Sequence, residues 1–422
     1  MTGDAAPVRL REDPDFRRFL AARLISLAGT SVTFIAFPVV VYELSGSPLL
    51  TALVVAFEAL PYLLLGLPAG ALADRFDRKV VMVRADLVNA VVLATIPIAH
   101  WFGVLTVPHM LVAAFLVPAL FVFFDAADFG AVPTLVGRDR IAGANSAIWS
   151  TSTVVETAFP LLAGALLAVI DGATLIAVDA LTYVASAVLI RAITRPLSDA
   201  RAGAKPLDRS ALLADVREGL QFLWGHLTVR SMTIVGALQS VAGGAFVGQL
   251  VPWSDRQLDV QAGDWRLGVV FSAWGVGVLF ASLMLPRAVR RVGAARVTLL
   301  CLPVSAVLCT ATAFAYDWVT GSLALVAWGA AYMGVVINSI TYRQQVTPEP
   351  LMSRVNTTGR MLSFGLGWPV GSVLGGVVAQ LSGPREAMLA GAVVLAVGVV
   401  VAWTSPLRHE GSAPAVVAQR GP

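Results

Sequence analysis

The sequence predicts an all-α membrane protein of twelve spanning helices, and three observations predict it. Of 422 residues, 57% are hydrophobic and only 13% charged, where a soluble domain carries roughly 25%. Apolar runs long enough to cross a bilayer recur along nearly the whole chain. The cations also sort by side. With twelve spans, 26 of the 30 lysines and arginines fall on one face, Arg256, Arg266 and Arg385 on the other, and Arg23 inside the first helix. A missed span would invert every later loop, so this bias supports the count and marks the basic face as cytoplasmic.

Taken in order, residues 1–15 are polar and are expected as a loose cytoplasmic tail. Helix 1 covers about 16–44, with Arg17 and Arg18 at its inner end and Arg23 able to snorkel there. Ser45-Gly46-Ser47-Pro48 makes a tight outer turn, and helix 2 runs on to Ala73. Helices 3 and 4 cover about 80–100 and 108–131. Val132-Pro133 and Gly137-Arg138-Asp139-Arg140 form the next inner loop. Helix 5 covers about 141–170, Asp171-Gly172 turns the chain, and helix 6 ends near Ile190.

Residues 191–230 carry seven cations. Within them Leu213, Val216, Leu220, Leu223, Trp224 and Leu227 recur at helical spacing. That pattern reads as an amphipathic linker helix on the inner membrane face. Six more spans follow at about 231–253, 267–285, 297–315, 318–341, 351–381 and 386–403. The organisation expected is an N-terminal bundle over 16–190, a linker over 191–230 and a C-terminal bundle over 231–404. A disordered cytoplasmic tail over 405–422 completes it.

Several functions are excluded on composition. Lysine occurs only at Lys79 and Lys205, neither after glycine, so there is no nucleotide-cradling P-loop and no self-contained ATP pump. The four histidines are scattered, giving no metal motif. Cys301 and Cys309 sit about 12 Å apart along one helix, too far for a disulfide. No nucleophile–histidine pair points to an enzyme, so no catalytic residue, metal or cofactor is expected. The sequence pI near 9.4 comes from topology-setting loop cations, so no nucleic-acid partner is expected.

The chain is organised around Gly66-Leu67-Pro68-Ala69-Gly70-Ala71-Leu72-Ala73-Asp74-Arg75-Phe76-Asp77-Arg78-Lys79. A charged hairpin here separates two membrane-grade helices. Asp74 ends a helix, where the macrodipole opposes a negative charge. It needs a partner, either Arg78 or the N-terminus of another helix. The run resembles the cytoplasmic loop signature of the major facilitator superfamily, G-x-L-A-D-R-x-G-R-K. Gly70, Leu72, Ala73, Asp74, Arg75, Arg78 and Lys79 match it, and Asp77 stands in place of a glycine.

The Asp-Arg-Phe-Asp-Arg variant is similar to the branch of drug and siderophore exporters that includes macrolide efflux proteins and the enterobactin exporter. The segment Arg343-Gln344-Gln345-Val346-Thr347-Pro348-Glu349 with Arg354-Val355-Asn356 is similar to the same branch. Pro160-Leu161-Leu162-Ala163-Gly164 partly resembles its helix 5 antiporter motif. Where such exporters often carry an acid after the glycine matching Gly29, this chain has Thr30. The resemblance implies two parallel six-helix repeats with substrate between the halves near mid-membrane. An internal echo agrees: Asn145 and Gly164 recur as Asn356 and Gly375 at one offset. It further implies a conformational-switch loop at Gly70, Asp74, Arg75, Arg78 and Lys79.

Charges inside spanning helices are costly, so each is a candidate for function. Glu156 lies near mid-depth of helix 5 and heads the proton-coupling candidates. Glu58, nearer the outer leaflet, serves equally as a proton site or a gate. Asp125 and Asp128 share a face one turn apart, as coupling acids or as gate partners of loop arginines. Asp86 is expected in a local salt bridge with Arg84 and Lys79, and Asp179 solvated near the outer end. The C-terminal half offers only polar cavity candidates, Gln239, Gln249 and Asn338. Trp274, joined by Trp328 and Trp368, serves either as an aromatic wall or as helix packing. The function expected is proton-coupled export of a small amphipathic molecule by a monomer in the cell membrane, with both termini cytoplasmic. The alternatives are uptake or facilitated diffusion of a metabolite, and a flippase-like or non-transporting scaffold.

Overall fold

The computed structural model describes residues 10, 12–73, 75–198, 209–348 and 351–408. Every regular element among them is a helix. The chain divides into two compact units, Met1–Arg209 with Gln261–Val269, and Ser210–Val260 with Val270–Pro422. Among the described residues eleven helices are long and apolar enough to span a membrane, twelve if one bent helix pair counts as a single span.

Unit 1 holds α1 (Pro14–Ser45), α2 (Pro48–Ala73), α3 (Arg78–Trp101), α4 (Val107–Val136), α5 (Ile141–Leu167) and α6 (Gly172–Arg191). Local chemistry sets the ends. Asp13 accepts hydrogen bonds from the backbone of Asp15 and Phe16, with Pro14 at the first helical position. Gly46, at φ +61°, closes α1 in the left-handed conformation that glycine tolerates. Asp77 caps α3 through Lys79 and Val80. Asp171 caps α6 through Thr174. Burial would raise the Asp171 carboxyl, but the hydrogen bonds from Thr174 outweigh it and hold the group below its ordinary value. Two apolar clusters fill the unit. One gathers Phe16, Phe19, Met82 and Phe124; the other gathers Phe37, Leu93, Ile96 and Met110.

Two expectations change here. Residues 12–15 are not a loose tail, because Asp13 and Asp15 are buried and tied to Arg195. The α4 helix also continues through Val132-Pro133 to Val136. Its last turn closes when the Gly137 amide donates to the Pro133 carbonyl at 3.0 Å. A helix can outrun its apolar stretch where its end meets water.

Unit 2 holds α7 (Arg209–Gly225), α8 (Leu227–Val247), α9 (Leu250–Leu258), α10 (Trp265–Val292, with its first turn in unit 1), α11 (Ala294–Ala313) and α12 (Trp318–Val346). Then come α13 (Met352–Arg360), a π-helical segment (Met361–Gly367), α14 (Trp368–Leu381) and α15 (Pro384–Thr404). Asp317 caps α12 by accepting from the backbone of Thr320 and Val319, which holds its carboxyl below the ordinary value. Of the amphipathic stripe, Leu223 is buried against Val229 and Val355, while Leu220, Trp224 and Leu227 are exposed. Leu213 and Val216 lie outside the residues whose side chains are described.

Two spans expected as continuous are broken. The run 231–253 bends by 55° between α8 and α9. Gly248 disfavours helix, and the Pro252 ring would clash with its carbonyl, so a new helix starts with Pro252 in its first turn. The run 351–381 passes through the π segment, where Gly365 and Gly367 are buried. The α10 helix instead continues past Leu285, carrying Arg287, Arg290 and Arg291 in its final turns. There the macrodipole favours cations.

The α8 and α14 backbones nearly touch. A Cβ on Gly371 would lie 1.9 Å from the Val241 carbonyl oxygen, and one on Gly244 2.2 Å from that of Trp368. Small residues permit such approach, which supplies the packing that lipid-immersed helices rely on.

Candidate functional site

The loop between α2 and α3 fastens unit 1 at one end. Asp77 aligns the first turn of α3. From that turn Arg78 donates to the Gly130 carbonyl at 2.8 Å, while its amide donates to the Ser198 hydroxyl at 2.8 Å. Lys79 Nζ donates to the Ile193 carbonyl at 2.5 Å. The loop cations therefore grip the ends of α4 and of the segment after α6. Gly70 lies in the last turns of α2 and Arg75 in the turn that follows. Asp74 lies outside the described residues. Beside this grip, Asp15 accepts from the Thr194 amide at 3.1 Å, the Thr194 hydroxyl at 2.7 Å and the Arg195 amide at 3.0 Å. Arg195 pairs with Asp13 as well.

Deeper in the unit is a charge cluster. Arg23, about 14 Å along α1, pairs with Asp128 of α4. Its guanidinium also feels the charges of Asp125 and Glu156. Helical spacing explains the convergence, since Asp125 and Asp128 stack one turn apart. Of the four acids expected to couple protons, one thus pairs with Arg23 and two more act on it through their charge. Glu156 is exposed on α5 rather than buried, because α5 has the least covered surface of the unit's helices. Glu58 is half-buried on α2 and forms no ion pair among the described residues. Arg23 does not snorkel to the helix end, and the partner of Asp128 is this intramembrane arginine rather than a loop arginine.

A second group lies between α1, α3 and α6. Asp179 is fully buried and accepts from Thr33 and from Thr182, the latter at 2.9 Å. Gly29 makes room for it, since a Cβ there would lie 2.2 Å from the Asp179 carboxylate. The Thr30 hydroxyl meets the Tyr183 hydroxyl at 3.0 Å. Asp86 and Asn89, also buried, face the same seam from α3. Asp179 is therefore not solvated, and Asp86 makes no salt bridge with Arg84 or Lys79. The missed signal was present as polar residues at helical spacing: Ser26, Gly29, Thr30 and Thr33 on α1, and Asp179, Thr182, Tyr183 and Ser186 on α6.

Unit 2 contributes aromatic and amide groups. Trp274 stands 5.2 Å from the ring of Phe246, 5.2 Å from Trp328 and 5.0 Å from Tyr332. Trp328 donates to the Ser305 hydroxyl at 3.1 Å, and Gln239 donates to the same hydroxyl at 2.9 Å. Asn338 donates to the Thr298 hydroxyl at 2.7 Å. Gln239, Gln249 and Asn338 are buried between helices, whereas Trp274 keeps exposed surface. Trp368 lies tilted against Phe364, ring centroids 5.2 Å apart, and borders that cluster through a side-chain hydrogen bond with Tyr332.

The family profile described as transmembrane secretion effector matches residues 2–420. A multidrug efflux pump, Tap, of Mycolicibacterium fortuitum is 29% identical over 92% of this chain and 95% of that protein. Macrolide efflux protein A of Streptococcus pyogenes is 25% identical over 53% of this chain and 54% of its own length. Among solved structures, a bacterial homologue of the human lysosomal transporter Spinster aligns with a TM-score of 0.73 at 14% identity, covering 98% of this chain and 100% of that one. The likeness to that transporter is one of fold.

Proposed function

The chain belongs to the transmembrane secretion effector family of the major facilitator superfamily, and from that premise we propose that it exports small amphipathic drug-like molecules in exchange for protons. The observation that carries the proposal is the cluster of Arg23 with Asp128, Asp125 and Glu156. Three carboxylates around one guanidinium hold excess negative charge inside a membrane bundle. That excess is relieved by a proton or by a cationic group of the substrate. The names of the efflux relatives support a drug-type substrate.

Glu156 is the acid open to exchange, because it is exposed while Asp128 is buried against Arg23. In the proposed cycle, protonation of Glu156 from one side leaves Arg23 matched by fewer charges, and deprotonation on the other side restores the excess. The exposed face of Trp274 offers an aromatic surface to the substrate. The α2–α3 loop, through Arg78 and Lys79, holds one conformation of unit 1 until the cycle releases it.

The proposed setting is the cell membrane, with both termini cytoplasmic. A thiol reagent applied outside should then modify Gln257→Cys and leave Ser210→Cys untouched.

The test of coupling is Glu156→Gln, which removes charge and keeps size. In inverted vesicles it should abolish pH-driven accumulation of a labelled drug while passive exchange continues. Undiminished accumulation would refute Glu156 as the coupling acid. If Glu58→Gln, Asp125→Asn and Asp128→Asn also accumulate drug normally, proton coupling through these acids is refuted; wild-type vesicles that equilibrate drug without concentrating it would replace the exporter reading with facilitated diffusion.

A further inference from the structure

The seam between α3 and α6 contains groups that the charge cluster does not explain. Asp86, Asn89 and Ser186 are 1%, 1% and 0% exposed. Among the described residues, Asp86 Oδ2, both amide atoms of Asn89 and the Ser186 hydroxyl have no hydrogen-bond partner. Such groups are costly in a low-dielectric interior unless something satisfies them. They are also gathered in one place. Asp86 and Asn89 are one turn apart on α3, Asp179 and Ser186 two turns apart on α6, and each pair shares a face. The Ser186 hydroxyl lies beside the Asp86 carboxylate without forming a hydrogen bond of ordinary geometry. Asp86 and Asp179 feel each other's charge.

Two carboxylates here lack the compensation that Asp128 receives from Arg23. Among the described residues no lysine or arginine pairs with Asp86 or Asp179. Both oxygens of Asp179 are occupied by the hydroxyls of Thr33 and Thr182. The unsatisfied acceptors on its border are a carboxylate oxygen, an amide oxygen and a hydroxyl oxygen. One proton satisfies a single acceptor of that set. A small hard cation satisfies all three and offsets the charge, since such ions take carboxylate, carbonyl and hydroxyl oxygens together.

We propose that Asp86, Asn89 and Ser186, with Asp179 behind them, form a sodium-ion site between α3 and α6, separate from the Arg23 cluster. Na⁺ bound there ties the two helices and neutralises the buried charge, so it favours the packed form of unit 1. The proposal does not rest on the exporter reading, because occupancy is measurable without any drug.

The test uses the full-length protein purified in detergent and a titration with NaCl against choline chloride and KCl at equal ionic strength. Na⁺ should raise the thermal midpoint saturably by about 2–4 °C, with choline giving none of the rise. Asp86→Asn and Asn89→Leu should each abolish the rise, and Asp128→Asn should retain it. An equal rise in choline or KCl would overturn the site, as would persistence in both seam variants. Stabilisation by lowered pH alone, with no response to Na⁺, would overturn it too and assign the seam to protons. The wild-type titration decides the matter even if a seam variant fails to fold.

Discussion

The two units solve the problem of packing in lipid by different means. Unit 1 buries charge: Arg23 with Asp128, Asp15 with Arg195, and Asp179 with two threonines. Unit 2 buries Arg343 without an acid paired to it among the described residues, and otherwise relies on backbones in near contact at Gly244 and Gly371, on the Phe246, Trp274, Trp328 and Tyr332 rings, and on amide–hydroxyl bonds. It also breaks its helices where unit 1 keeps them whole, at the 55° bend and at the π segment. The division separates two tasks. Charged groups respond to protons and ions, so sensitivity to the medium belongs to unit 1. Broken helices and aromatic faces deform and adapt, so contact with varied apolar substrates suits unit 2.

The strongest way to break this contrast is to disturb the Arg23 cluster. Removing one partner of a buried pair costs about 3–5 kcal/mol, but the two partners are not equivalent. Arg23→Gln leaves Asp128, Asp125 and Glu156 without their cation and should incur that full loss. Asp128→Asn leaves Arg23 facing two other acids, so its cost should be under half as large. Thermal midpoints of the two variants in detergent check this. Equal losses would mean that Arg23 serves Asp128 alone.

Next in size is the glycine contact of unit 2. Gly371→Val places a side chain where the Val241 carbonyl already stands, costing about 3 kcal/mol by overpacking. This loss should be indifferent to pH and salt, unlike that of Arg23→Gln. A salt-dependent loss in Gly371→Val would undo the contrast between the units.

A smaller effect is expected at Trp274. Its partly exposed ring is the accessible member of the aromatic cluster, so Trp274→Ala should weaken drug binding on the order of tenfold, or about 1.4 kcal/mol. Trp274→Phe should recover most of that. Fluorescence or radioligand binding measures both. Full affinity in Trp274→Ala would assign the cluster to packing alone.

Much of this was legible in the sequence, for physical reasons that differ by residue. The twelve spans and the hairpin at Arg75–Lys79 follow from hydropathy and charge, which act locally. Gathering Asp125, Asp128 and Glu156 as candidates needed only the rule that charge in lipid is expensive. Their convergence on Arg23 was not legible, because it depends on how α1, α4 and α5 rotate about their axes. Asp179 was misplaced for a related reason. Its depth on α6 suggested water, but the glycine at Gly29 opens a recess that hydropathy does not register. The breaks at Gly248 and at 361–367 were missed because a long apolar run reads as one helix whether or not its hydrogen bonds are continuous. The burial of Gln239 and Asn338 depends on hydroxyl partners supplied by α11, far away in sequence.

The smallest prediction concerns a point where the units should agree. Asp171 caps α6 in unit 1 and Asp317 caps α12 in unit 2, and hydrogen bonds to the helix start hold both carboxyls below the ordinary aspartate value. A group whose carboxyl is lowered on folding contributes stability above its unfolded pKa, near 4, and loses it as pH falls through the folded value. Both caps should therefore contribute fully at neutral pH and fade only below about pH 4. Asp171→Asn and Asp317→Asn should each lower the thermal midpoint slightly at pH 7 and flatten its fall in acid, with transport unchanged. Asp171 has one further neighbour, His100, at 3.5 Å. Contact with that imidazole adds an attraction that Asp317 lacks. The Asp171→Asn penalty should accordingly exceed that of Asp317→Asn. His100→Gln should remove the difference, and if it does not, the imidazole adds nothing to this cap.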